Sequence, residues 1–349
     1  MTEGKMKLHG KTAKKNLLLL SLLFVPLFAF CRDITVMTFN IAHNSSYKKQ
    51  HREEWINAIA EVARDNGADI ILLQEVPVEL QSGFAKHYYG DIEIHFKRPK
   101  RHTILDEIRM ELGENWSFFS TADYLLHDGI TVDGVSYSGG DMAQNNAIFY
   151  DGSVLSAEDL SDSLEFRSFP ACRYRFNKNN VQAARFTVLP EEGEEDAHFV
   201  ISNVHLTSKN SIEKRDWDLH TLYDMLLNEY GGEISDEPVM AGGDFNTNRD
   251  EFTRKGFSGY IVDGRTSPRT TLSTAKTGFR YVNDYDHFVY NTAMMEHVKK
   301  PAERASVGNG GNNFEKAGSV EIAGIVSASS GEFREKISDH VPLIIVLEF

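Results

Sequence analysis

Two spacings of apolar residues alternate along the chain. In "DITVMTFNI", Ile34, Val36, Thr38 and Asn40 fall on one face and Met37 and Phe39 on the other, the period of a strand. "HREEWINAIAEVARDNG" follows with Trp55/Ile56, Ile59 and Val62/Ala63 on a helical stripe that Gly67 stops. "ADIILLQEV" is continuously apolar, which predicts a strand covered on both sides. From about Pro77 to Ser138 the periodicity is weak, with a basic loop "FKRPKRHT" and a helix at "LDEIRMELG". Strands resume at "NNAIFYD", "VQAARFTVL" and "AHFVISNVHL", the last two separated by an acidic "EEGEED" that reads as a solvated hairpin tip. "NSIEKRDWDLHTLYDMLLNEYGG" is the clearest helix. Asn210 and Glu213 form its capping box, Ile212, Leu219, Leu222/Tyr223, Leu226 and Tyr230 its stripe, and Gly231 its end. Apolar runs close on polar residues again at "EPVMAGGDFN", "DYDHFVYN" and "SDHVPLIIVLEF", and "SVGNGGNN" reads as a loop tip. No repeat or linker divides this pattern, so residues 32–349 read as one layered α/β domain.

The N-terminus breaks the pattern. Lys5, Lys7, Lys11, Lys14 and Lys15 precede "NLLLLSLLFVPLFAF", a basic region and then an apolar stretch interrupted by Pro26. That layout predicts a secretory signal over residues 1–31, with Ala29 and Cys31 as the small residues near its cleavage site. The stretch is shorter than the roughly 20 residues a spanning helix needs, so no transmembrane segment is expected in the mature chain. The expected location is secreted or periplasmic. A lipid anchor through Cys31 is the alternative, which the bulk of Phe30 disfavours, and a membrane anchor is a further reading. Cys31 and Cys172 are the two cysteines, too few for a disulfide framework. A net charge of −14 excludes a uniformly basic field for polyanions but not local basic patches.

Polar residues recur at strand ends: Asn40, Glu75, His205, Asp244 with Asn246, and Asp339 with His340. Asn203 and His205, two apart, share a face. Singly each has an ordinary reading, as a turn cap, a satisfied edge histidine or a partner for a surface cation. Jointly they repeat one placement in segments scattered over the chain.

Through "TFNI", "LLQEV", "NVHL", "GGDFN", "YDHFVY" and "SDHVPL", in that order, the sequence resembles the endonuclease/exonuclease/phosphatase family, in its deoxyribonuclease I-like branch. The resemblance implies a four-layer sandwich of two packed mixed β-sheets flanked by helices. It also implies metal-dependent hydrolysis of a phosphate ester at one rim of the sheets. By resemblance Glu75 is the principal metal ligand, with Asn40 and Asp339 completing or orienting the shell, and hard oxygen ligands suit Mg²⁺, with Mn²⁺ or Ca²⁺ as alternatives. His340 is then the general base and Asp286 holds its imidazole, with Asp284 as the rival. His205 and Asn246 would bind the phosphoryl oxygens, His205 protonating the leaving oxygen, and Asp244 would orient water or hold a second ion. Arg185 in "VQAARF" resembles a phosphate-contacting arginine and reads equally as a plain strand residue.

His205 stands where abasic-site endonucleases of the family generally show a tyrosine, and the Trp-x-Asp-Arg of the inositol-polyphosphate phosphatases is absent from "NDYDHFVY". A deoxyribonuclease-like and a sphingomyelinase-like reading remain. For DNA the chain offers two basic clusters, Lys97, Arg98, Lys100, Arg101 and Arg173, Arg175, Lys178, with Tyr174 and Phe176 interleaved. For a lipid head group the one candidate insertion element is "NWSFFST", which reads equally as a buried strand. The expectation is a metal-dependent DNA endonuclease of low sequence specificity, with a lipid phosphodiesterase or other phosphatase, and a silent binding module, as alternatives. Oligomeric state is not readable.

Overall fold

In a computed structural model of the chain, twelve strands form two six-stranded sheets. The structure describes residues 31–42, 45–77, 103–120, 144–160, 181–190, 196–206, 236–254, 269–274, 276–312 and 319–349, with shorter pieces at 85–89, 92–96, 130–132, 135–137, 219, 222 and 261–262. Residues 1–30 of the expected leader, both basic clusters, Cys172 and most of the helix expected from Asn210 lie outside the described residues. Among the described residues, no helix is long and apolar enough to cross a membrane.

The strands are β1 (Asp33–Asn40), β2 (Ile70–Pro77), β3 (Trp116–Ser120), β4 (Gln144–Asp151), β5 (Leu155–Asp159) and β6 (Val181–Val188). They continue as β7 (Ala197–His205), β8 (Val239–Asp244), β9 (Ile261–Val262), β10 (Asp286–Tyr290), β11 (Val298–Arg304) and β12 (Leu343–Glu348). The helices are α1 (Ser46–Gln50), α2 (Arg52–Asp65), α3 (Ile104–Leu112), α4 (Arg249–Arg254), α5 (Thr292–His297) and α6 (Ser330–Lys336). The first sheet runs β11-β12-β1-β2-β4-β3 and the second β9-β10-β8-β7-β6-β5. β1 with β2, and β7 with β8, are parallel, and the other neighbours are antiparallel.

Alternation decides which side chains enter which layer. The inward positions Ile34, Val36, Ile70, Leu72 and Ile148 of the first sheet meet Phe186, Phe199, Ile201, Met240 and Phe288 of the second. The outward positions Met37, Phe39, Ile71 and Leu73 are covered by Trp55, Ile56, Ile59 and Val62 of α2. Behind the second sheet, Val181, Val200, Val204 and Val289 pack against Leu219 and Leu222, two residues of the helical stripe read from sequence. Three apolar layers between four structural ones make this the expected sandwich. Each large buried side chain contributes about 1.5–3 kcal/mol, and cutting Trp55, which is 2% exposed, to Ala would cost about 3–5 kcal/mol. Helix α3 starts on the Thr103–Asp106 capping box. Residues Asp33–Phe349 form one compact unit.

Candidate active site

On several strands the inward face is apolar until one end, where it turns polar. β1 passes from Ile34 and Val36 to Thr38 and Asn40, and β7 from Phe199 and Ile201 to Asn203 and His205. β8 passes from Met240 to Asp244, and antiparallel β10 begins at Asp286 before Phe288. The parallel pairs send the C-terminal ends of β1, β2, β7 and β8 to the same end of the sandwich, so these polar positions meet. Asn40 Nδ2 lies 3.2 Å from Glu75 Oε1 and 3.0 Å from Asp244 Oδ2, joining the two sheets.

Glu75 reaches the cleft by an irregularity. β2 pairs Leu73 with Ala147 and next Val76 with Asn145, so Gln74 and Glu75 together face one residue of β4. This is a β-bulge, and Glu75 in it has φ +56°. Strict alternation would have placed Glu75 opposite Gln74, on the helix-covered face.

His340 joins the cluster from the loop between α6 and β12. Its Nδ1 lies 2.7 Å from Asp286 Oδ2 and its Nε2 3.5 Å from Asp244 Oδ2. Asp286 is therefore the imidazole's partner, while Asp284 accepts the Arg249 backbone N–H at 3.3 Å. Thr270 Oγ1 donates to the same Asp286 oxygen at 2.5 Å, and Ser338 Oγ accepts the His340 backbone N–H while donating to Asn40 O at 2.5 Å. Burial alone would lower the His340 pKa, but the Asp286 and Asp244 charges outweigh it and hold it well above its ordinary value. Asp244 is pushed up to about 6, by burial first and by Asp286, against the pull of His340 and His205.

The two glycines before Asp244 do different work. A β-carbon at Gly242 would stand 2.7 Å from a Phe288 ring carbon and 2.8 Å from Leu72 Cδ1, so this position faces the inter-sheet core. At Gly243, with φ +149°, it would overlap the Val204 carbonyl of the parallel neighbour. Beyond them Phe245 is buried in the outer layer and Asn246 turns at φ +50°, its N–H on Asp244 Oδ1 at 2.8 Å. Asn246 Nδ2 donates to Leu206 O at 2.9 Å.

A cleft of about 510 Å³ opens over this cluster, lined by Glu75, His205, Asp244, Asn246, Asp339 and His340. Arg334, Thr271, Leu272, Ser273, Thr274, Val282, Asn283 and Tyr285 complete the lining, with Thr271 bridged to His340 as a strand pair. His205 Nε2 lies 3.7 Å from Glu75 Oε1 and 4.0 Å from Asp244 Oδ2. Asp339 is part-exposed with Arg334 at 3.3 Å. Glu75, Asp339 and Asp244 bring carboxylates to the same cleft, hard oxygen donors of the kind a divalent cation takes. Asn40 is fixed the other way round, its Oδ1 accepting from Ala42 N–H, so it orients the carboxylates with its NH₂. Asp244, Asp286 and His340 also lie close enough to share an ion, but His340 Nδ1 is already engaged by Asp286.

Arg185 is a correction. It stands on the outward face of β6, beside Val181 and Ala183, with Nε 2.9 Å from Glu237 and a second contact to Glu158 at 3.7 Å. A phosphate in the cleft would not meet it. Of the two readings of "NWSFFST" the strand is the one found, as edge strand β3, half-buried, with Phe118 and Phe119 packed on Phe149 and Tyr150. Thr270, Ser338 and Lys48 are site neighbours that sequence reasoning missed. Lys48 is 2% exposed and donates from Nζ to the Ile41 and Ala42 carbonyls just beyond Asn40. It stands eight residues after Asn40, the polar end of β1, where no sequence pattern marks it.

Solved structures share this architecture. A humanized D. rerio TDP2 carrying 14 mutations is 13% identical, with a TM-score of 0.51 over 90% of this chain and 98% of that one. An endonuclease/exonuclease/phosphatase from Bacteroides vulgatus is 14% identical, with a TM-score of 0.53 over 91% and 99%. A family protein from Leptotrichia buccalis is 14% identical, with a TM-score of 0.51 over 90% and 100%. Among curated proteins nothing matches. The model of the Endonuclease/Exonuclease/phosphatase family matches residues 37–340 and so takes in every strand end described above, and the chain belongs to that family.

Proposed function

We propose that this chain is a divalent-metal-dependent phosphodiester hydrolase acting on nucleic acid, most directly a DNA endonuclease of low sequence specificity. The observation that carries the reading is His340, clamped at Nδ1 by Asp286 with Nε2 turned toward Asp244 and the cleft. In its neutral form that Nε2 takes the proton of an attacking water, and Asp286 stabilises the imidazolium that results. His205 and Asn246 line the same cleft and donate hydrogen bonds to the phosphoryl oxygens, where charge builds. Glu75 and Asp339, with Asp244 behind them, would hold the cation. When bound, it would neutralise charge on a non-bridging phosphate oxygen.

The polar lining supports a sugar-phosphate strand over acyl chains. Ser273, Thr274 and Asn283 bring hydroxyls and an amide to the cleft, and Tyr285 an aromatic ring of the kind on which bases stack. Against the lipid reading, its candidate insertion element is edge strand β3, whose Phe118 packs on Phe149. Purified protein should nick plasmid DNA in Mg²⁺, and His340→Ala should abolish the nicking. Phosphocholine release from sphingomyelin vesicles without nicking would reject the assignment. Export of the mature chain from the cytoplasm is proposed with it, on the layout of residues 1–31.

A further inference from the structure

We infer that Asn203, on the second sheet, is a positioning residue that holds the Glu75 bulge of the first, an inference that rests on Glu75 serving the metal as proposed above. Asn203 is wholly buried, two residues before His205 on β7. Its Nδ2 donates to Leu73 O and to Ala147 O, both at 2.9 Å. Those two are the last partners in the β2–β4 ladder before the register slips. Its Oδ1 accepts from Gln74 Nε2 at 2.7 Å, and Gln74, the first residue of the bulge, also reaches Thr38 Oγ1 at 3.0 Å.

One amide from the opposite sheet thus bonds both strands flanking the bulge and the bulged residue itself. Carbonyls released from a ladder and left buried are costly, so this amide favours the bulged register over a regular one. In a regular register Glu75 would turn to the helix-covered face and leave the cleft. The contact also ties the sheet carrying Glu75 to the sheet carrying His205 and Asp244. A purely structural amide would affect stability and leave the metal site alone.

The test compares Asn203→Ala with Thr38→Val, which removes one bond of the same network and leaves the bulge carbonyls bonded. Asn203→Ser, which retains a donor, replaces the alanine variant if that does not fold. Hydrogen exchange of the peptide spanning β2 reports the bulge without metal, and Mn²⁺ titration followed by electron paramagnetic resonance reports the site without turnover. Asn203→Ala should speed exchange across Gln74–Val76 and weaken Mn²⁺ binding by about tenfold or more, the scale of lost support for a metal ligand. Thr38→Val should leave Mn²⁺ affinity within about twofold. Unchanged exchange in Asn203→Ala overturns the inference whatever the metal does. So does faster exchange with unchanged Mn²⁺ affinity, or equal weakening in Thr38→Val. Wild-type Mn²⁺ binding that survives Glu75→Ala would overturn the proposed metal role instead, and with it the link from Asn203 to the ion.

Discussion

Lys48→Met tests how the base of the site is held. The Lys48 ammonium is buried beside the Trp55 ring, 5.7 Å from its centroid, with the Ile41 and Ala42 carbonyls as acceptors. Burial lowers its pKa from 10.5 to about 8, opposed by Asp339 and Glu75 and assisted by Arg334. The drop from 10.5 to about 8 corresponds to about 3 kcal/mol between charged and neutral forms. The folded pKa lies below the unfolded one, so the unfolded chain binds more protons between pH 8 and 10.5. Stability from this group therefore rises with pH across that window, and the full penalty stands below pH 8. Methionine keeps the volume and removes the charge. In urea melts without metal at pH 7 to 10.5, wild type should gain about 3 kcal/mol on Lys48→Met, a relative midpoint shift of about 1 M or more. Parallel stability curves for the two proteins would refute the argument, because they would mean the ammonium is as well solvated folded as unfolded.

Asp286→Asn should lower turnover by about 10²–10⁴-fold. It should also move the rising limb of the pH profile to lower pH, because Asp286 is the charge that most raises the His340 pKa; steady-state rates from pH 5 to 9 check both. Gly243→Ala should cost about 2 kcal/mol or more, through overlap with the Val204 carbonyl and an unfavourable φ, read as a lower melting temperature. Saturating Mg²⁺ at about 100 times its Kd should stabilise wild type by about 2.7 kcal/mol. Glu75→Ala should lose that gain while melting close to wild type in metal-free buffer.

Much of this was legible because strand alternation and chain order survive translation into space. Asn40, His205 and Asp244 each close an apolar alternation, and parallel pairing brings their ends together. Alternation does not separate Asp286 from Asp284, which share the parity of Phe288, and it is the family resemblance that singles out Asp286. Arg185 failed on parity: pattern shows that faces alternate, and only packing on Glu237 shows which is outward. Glu75 was identified despite alternation, since nothing in "LLQEV" announces a bulge. Thr270 and Lys48 act through contacts between segments distant in sequence or within an unremarkable helix, and no local spacing marks them.

Because neither sheet holds a complete set of reacting groups, the chemistry is a property of the finished sandwich. A nascent or half-folded chain, with one layer formed and the other open, would carry Glu75 without Asp244 or the reverse. If the proposed hydrolysis holds, such a chain would be harmless to any ester it meets, and the capacity to cut would arrive only when the last layer closes.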